Sequence, residues 1–225
     1  ARTYLGVILR YPFPPEANVY SKLLLGFLVL FFLVVGGLTT GFYHSPIFTG
    51  EGRQILQPVP FSHQHHVQGL GLDCRYCHSN VEKSSFAGMH DSATCFGCHS
   101  QIWNHSDILK PIRDSIKNHQ PLIWYRVNEL PDYVFFSHQI HVAKGIGCVS
   151  CHGDVGKMPV VKQARSFLMR DCLSCHLNPE KNVRPISELT NADWHPQDHP
   201  DENLKAVHEL QVHALPTTNC SLCHR

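Results

Sequence analysis

Phe136-Ser137-His138-Gln139-Ile140-His141-Val142-Ala143-Lys144-Gly145-Ile146-Gly147-Cys148-Val149-Ser150-Cys151-His152 decides how the rest of the chain is read. It closes on Cys-x-x-Cys-His, the attachment signal of a c-type haem. Two thiols at that spacing can each add to one vinyl group of a single porphyrin. The adjoining His then sits beneath the ring as the proximal iron ligand. The same pattern recurs at Cys74–His78, Cys95–His99, Cys172–His176 and Cys220–His224, so all 10 cysteines are used. At this Cys and His content, chance placement gives only ~0.04 such patterns if positions are independent. Zinc knuckles would leave one of five pairs unmatched and give no reason for a His after every pair. A disulfide framework needs no histidines there, and thioredoxin-like redox chemistry expects one motif in a βαβ setting. The expected cofactors are therefore five covalently bound haem c groups. Cys74, Cys77, Cys95, Cys98, Cys148, Cys151, Cys172, Cys175, Cys220 and Cys223 anchor them, and His78, His99, His152, His176 and His224 are the proximal iron ligands.

Upstream of the first motif, Phe61-Ser62-His63-Gln64-His65-His66 repeats the element at 136–141 with an offset of 75 residues. Residues 61–99 and 136–176 thus read as two copies of a two-haem unit, with the fifth motif outside the pairing. Histidines at i and i+3 lie on nearly one face of a helical turn, so each element can reach two neighbouring haems. After the proximal ligands, 13 of the 18 histidines remain, more than five sixth ligands require.

The element resembles that of the small class III multihaem cytochromes. The resemblance implies that His63 ligates the haem on Cys74/Cys77 and His138 the haem on Cys148/Cys151, while His66 and His141 reach the second haem of each unit. The extra His65 is an alternative to His66. His90, five residues before Cys95, stands where those cytochromes carry another distal His, and Met169 occupies the matching place in the second unit. A Met ligand would raise that haem's potential above its bis-His neighbours. The alternative for Met89 and Met169 is packing against a porphyrin edge.

Leu23–Phe42 is 20 residues without a charge, enough as a helix to cross a bilayer core of ~30 Å. A cleavable signal would be shorter and followed by a small-residue site, and a buried soluble helix would show a polar stripe. An uncleaved transmembrane anchor is expected. Arg2, Arg10 and Lys22 precede it and the next basic residue is Arg53. The positive-inside rule then places the N-terminus in the cytoplasm and the haem-bearing part outside the bacterial cytoplasmic membrane. Overall, 19 Lys+Arg against 18 Asp+Glu give no basic excess, so nucleic acid is not an expected partner.

The organisation expected is an N-terminal arm (1–22) with aromatic Tyr4, Tyr11 and Phe13 near the headgroups, a transmembrane helix (23–43) and a linker (44–60). The two-haem unit 61–99 follows, then a connector (100–135) with a short helix interrupted at Pro111, the second unit 136–176, and a C-terminal segment (177–225) carrying the fifth haem. Few long aliphatic runs follow residue 43, so five macrocycles must serve as core. The fold class expected is one transmembrane helix plus a haem-nucleated multihaem cytochrome c domain of short helices and coil, with little sheet. With both axial positions filled by protein, such a chain carries electrons rather than transforming substrate, and no catalytic residue is expected.

The single anchor, the five motifs, the stretch Trp124-Tyr125-Arg126-Val127-Asn128-Glu129-Leu130-Pro131-Asp132-Tyr133-Val134-Phe135-Phe136-Ser137-His138 and the terminal Cys220–Arg225 are similar to the pentahaem cytochrome subunit, ActA, of alternative complex III. That resemblance implies a respiratory quinol-oxidising membrane complex with iron–sulfur and membrane-integral quinol-binding subunits, a monohaem cytochrome, and a periplasmic electron acceptor. The hexahaem subunit of periplasmic quinone reductase complexes is similar, but a sixth motif is absent here. Two other readings stay open: a stand-alone membrane-anchored quinol dehydrogenase feeding a periplasmic reductase, and a nitrite-type multihaem reductase. The latter usually shows a Cys-x-x-Cys-Lys variant, which this sequence lacks.

Overall fold

The computed structural model describes residues 14, 16–214 and 219–224. Arg2, Tyr4, Arg10, Tyr11 and Phe13 of the expected interfacial arm, and Arg225, lie outside the described residues. The chain divides into two units, 1–48 and 49–225.

In the first unit a single long helix, α1 (Ala17–Tyr43), covers the uncharged run and begins six residues ahead of it. Leu, Phe and Val dominate this stretch, and its four glycines have open space where a side chain would sit. Twenty-seven residues at 1.5 Å each make ~40 Å, so α1 is long and apolar enough to cross a membrane. One further turn, α2 (Pro46–Thr49), follows it, and Phe48 packs edge-on against Tyr43 with ring centres 4.7 Å apart.

The second unit is helix and coil. Its helices are α3 (Cys74–Cys77), α4 (Ser92–His99), α5 (Lys110–Asn118), α6 (His138–Ala143), α7 (Val149–His152), α8 (Met169–Leu177) and α9 (Pro200–Glu209). A π-helical turn spans Gln64–Gly69. Among the described residues there is no sheet; three isolated bridges join Gln54 to Lys162, Val134 to His224 and Ile146 to Val183. Pro111 starts α5 rather than interrupting it, because a missing N–H costs nothing in the first turn. That helix stops at His119, which adopts a left-handed φ of 50°.

Aliphatic packing is sparse. One cluster gathers Val59, Leu109 and Ile112 with Phe96, Leu122 and Trp124 around it; another gathers Val81, Val142 and Leu189. The polar excursion at 177–219 contributes more than its composition suggests: Val183, Arg184, Leu189, Trp194 and Ala206 are all buried. By contrast Leu70, Tyr76, Phe86, Ile102, Trp103, Ile123, Tyr133, Phe135, Ile140 and Leu222 are exposed. Apolar side chains exposed in such numbers mark surface that a ligand, a membrane or a partner covers.

Candidate functional site

Short helices present the first four motifs, and a 3-10 turn, Cys220–Leu222, presents the fifth. Caps set two of them. Asp73 accepts a hydrogen bond from the Arg75 amide at 2.8 Å and starts α3; Asp91 accepts from the Thr94 amide at 3.0 Å and starts α4. Carboxylates suit these positions because the first helical amides have no partner within the helix. Helical spacing then places the two sulfurs of a motif, three residues apart, on one face. None of the ten sulfurs is joined to another. Among the described residues no three His, Cys, Asp or Glu side chains converge as a metal cluster.

The two Phe-Ser-His-x-x-His elements fold alike. Phe61 meets His63 edge-on at 4.9 Å and 88°, and Phe136 meets His138 at 4.8 Å and 87°. Each phenyl ring also stacks on the second histidine: Phe61 on His66 at 4.3 Å and 24°, Phe136 on His141 at 4.7 Å and 28°. In both, the serine carbonyl accepts from the second imidazole's Nδ1, at 2.9 Å for His66 and 2.7 Å for His141. One repeat does this on a π-helical turn and the other on α6, so the extra His65 is absorbed without changing the ring geometry. His65 itself lies parallel to Trp103, with ring centres 6.3 Å apart.

Three imidazole pairs form across the motifs. His66 faces His99 with ring centres 6.2 Å apart, His138 faces His152 at 6.2 Å, and His141 faces His176 at 6.0 Å. A ligating nitrogen sits about 2 Å from its metal and about 1.2 Å from its ring centre, so two imidazoles on one iron have centres about 6.3 Å apart. The angles between ring planes, 63°, 4° and 76°, are free to differ because each ring can turn about its metal bond. Beside the first motif, His63 and His90 both feel the charge of His78, and each has a buried Nδ1 without a partner. At the fifth, the His224 ring lies 5.9 Å from Tyr133. Met169 opens α8 and is 58% exposed.

Only a neutral imidazole ligates, and the surroundings enforce neutrality. Burial, then the neighbouring histidines, lowers His63 and His152 to about 4. The same causes push His66, His90, His138 and His176 down. Backbone carbonyls fix the tautomer: Nδ1 of His78 donates to Gly88 at 3.2 Å, of His99 to Ile102 at 3.1 Å and of His138 to Ser85 at 2.9 Å. Nε2 is thereby left to bind, as second-shell bonds do in metal sites generally. Asn128 faces His152 Nδ1 at 3.2 Å. Sequence inspection misses these carbonyl partners, since any residue carries a carbonyl. Asn128 alone had a signal, its place in the stretch Trp124–His138. Paired imidazoles beside each of three motifs, in a unit with many exposed apolar side chains, fit covalently held haem.

The motifs also touch one another. Cys74 and Cys148 interact, and their mutual influence pushes Cys74 up and Cys148 down. Cys77 lies near Cys95, Cys151 near Cys175 and Cys172, and Cys172 near Cys223. The Phe135 amide donates to the Cys223 carbonyl at 2.8 Å.

Comparison with known proteins agrees with this geometry. The cytochrome c3 family matches residues 140–225. The chain is similar to the "Menaquinone reductase, multiheme cytochrome c subunit" of Nitratidesulfovibrio vulgaris (strain Hildenborough). The two are 37% identical over an alignment that covers 62% of this chain and 75% of that protein. With a match of that extent, and a cytochrome c3 region over its last 86 residues, the chain belongs to the multihaem cytochrome c family, whose members bind haem c covalently and transfer electrons.

Proposed function

We propose that this chain is the membrane-anchored pentahaem subunit of a quinone-active respiratory complex, carrying electrons from quinol oxidation to a periplasmic acceptor as in alternative complex III. The observation that carries this is the set of three histidine pairs at 6.0–6.2 Å, each of which would hold a haem iron between its two imidazoles. When bound, haem supplies a reversible one-electron change between ferric and ferrous iron. The chain's residues do the rest. His63 or His90 with His78, His66 with His99, His138 with His152 and His141 with His176 hold both faces of the first four sites. His224 holds the fifth, beside Tyr133. The ten cysteines fix the rings, and Phe61 and Phe136 orient the distal imidazoles. Helix α1 anchors the chain in the cytoplasmic membrane, with the N-terminal arm (1–22) on the cytoplasmic side and residues 44–225 outside. Iron–sulfur and membrane-integral quinol-binding subunits are the partners of this reading.

A second reading reverses the direction of flow. The relative from Nitratidesulfovibrio vulgaris is named as a subunit of a menaquinone reductase, so reduction of quinone by electrons from outside is the competing assignment. Adding a quinol to the complex in native membranes separates the two. Rapid growth of the reduced haem bands supports the outward direction; haems that stay oxidised with quinol, yet are reoxidised by quinone after chemical reduction, support the inward one. Rapid quinol reduction of the isolated subunit would favour a stand-alone dehydrogenase instead.

A further inference from the structure

Arg184 is the largest side chain buried almost completely, with 2% of its surface exposed. Its Nη1 donates to two backbone carbonyls, Glu188 at 3.1 Å and Asn191 at 2.7 Å. Its guanidinium carbon stands 5.3 Å over the Trp194 ring, and its buried Nε has no partner. Among the described residues no carboxylate reaches salt-bridge distance of it; Cys148 and then Glu188 are the groups that act on its charge. Buried arginines are ordinarily ion-paired, so this one is an uncancelled positive charge. Its location is specific. A Cβ on Gly147 would stand 2.3 Å from Arg184 Nε and 2.4 Å from Cζ, so the guanidinium lies flat against the residue just before Cys148. The other charge acting on Cys148, Asp73, is already paired with Arg75 at 2.9 Å.

We propose that Arg184 raises the reduction potential of the haem carried by Cys148 and Cys151 above the value its two histidines alone would set. This rests on the haem reading of that motif. Reduction adds one electron to the iron, and a fixed cation in a low-dielectric surrounding favours the state with that electron. Trp194 and the two carbonyls hold the charge in place while giving it no countercharge.

The test is a mediated redox titration of the full-length, haem-loaded protein in detergent, with His138→Met as a companion variant that marks this haem by its changed ligand. Arg184→Met lowers that haem's reduced-to-oxidised ratio roughly tenfold at fixed ambient potential, a downward shift of about 59 mV for one electron, and moves the other four less. Arg184→Lys keeps most of the original potential. Glu188→Gln, which removes the charge of a half-buried carboxylate that acts on Arg184, raises the same haem. Unmoved potentials in Arg184→Met with five haems present overturn the inference, as does a shift in Arg184→Lys as large as in Arg184→Met. Where Arg184→Met does not mature, Glu188→Gln decides: no upward shift overturns it. A pyridine haemochrome count below five in the parent protein overturns the haem reading itself, and this inference with it.

Discussion

His138 shows how much one side chain does here: it takes a carbonyl from the other repeat on Nδ1, the phenyl edge of Phe136 and His152 across the site. On the proposed ligation, His138→Ala leaves the third iron with one axial ligand. EPR then shows one low-spin ferric signal replaced by a high-spin one, and an unchanged spectrum would remove His138 from the ligand set. Gly147 works by having no side chain. Gly147→Ala drives a methyl into Arg184, and such overpacking costs about 1–3 kcal/mol, read as a lower denaturant midpoint. Asp73, at the cap of the first motif's helix, provides a pH handle. Hydrogen bonds from Arg75, the largest cause, hold its carboxyl at about 2 against an ordinary 3.8. A folded value below the unfolded one means its stabilisation is complete above pH 3.8 and drains away as pH falls towards about 2. Asp73→Asn therefore removes part of the acid-induced loss of stability in that window. A wild-type slope retained by the variant there would assign the loss to other carboxylates.

At the scale of the element, each doubled-histidine turn is a clamp in which one phenyl ring aligns two imidazoles. Removing the ring forfeits two aromatic contacts, each worth about 1 kcal/mol beyond area burial. Phe136→Ala should broaden the low-spin EPR lines of the third and fourth haems and leave the first two sharp; Phe61→Ala should do the reverse. Broadening spread over all four would mean the turns are not independent units. Much of this was legible in the sequence, because ligand spacing and the 75-residue repeat are chemical requirements written as residue identity. The pairing of His66 with the second motif and of His138 with the third was what the resemblance to the class III cytochromes implied. What stayed hidden depends on backbone. Pro111 was misread as a break because only the register of α5 decides whether a proline starts or interrupts a helix. The choice of His66 over His65 facing His99 turned on a π-helical turn that no periodicity announces, and Arg184 looks in sequence like any surface arginine.

For the molecule as a whole, the second unit holds two small aliphatic clusters and a long inventory of exposed apolar side chains. Conformational entropy opposes folding of such a chain unless more apolar surface is covered. A preparation made without haem attachment should show coil-like far-UV circular dichroism and rapid proteolysis beyond residue 49, and cooperative melting of that preparation would refute the haem-core reading. The order of the paired histidines also has a consequence in time. His66, His138 and His141 each lie upstream of the motif they face, within 35 residues of it. A polypeptide threading outward from its N-terminus therefore exposes each waiting imidazole before the thiols that will deliver its porphyrin. Maturation of the first half need not await synthesis of the second.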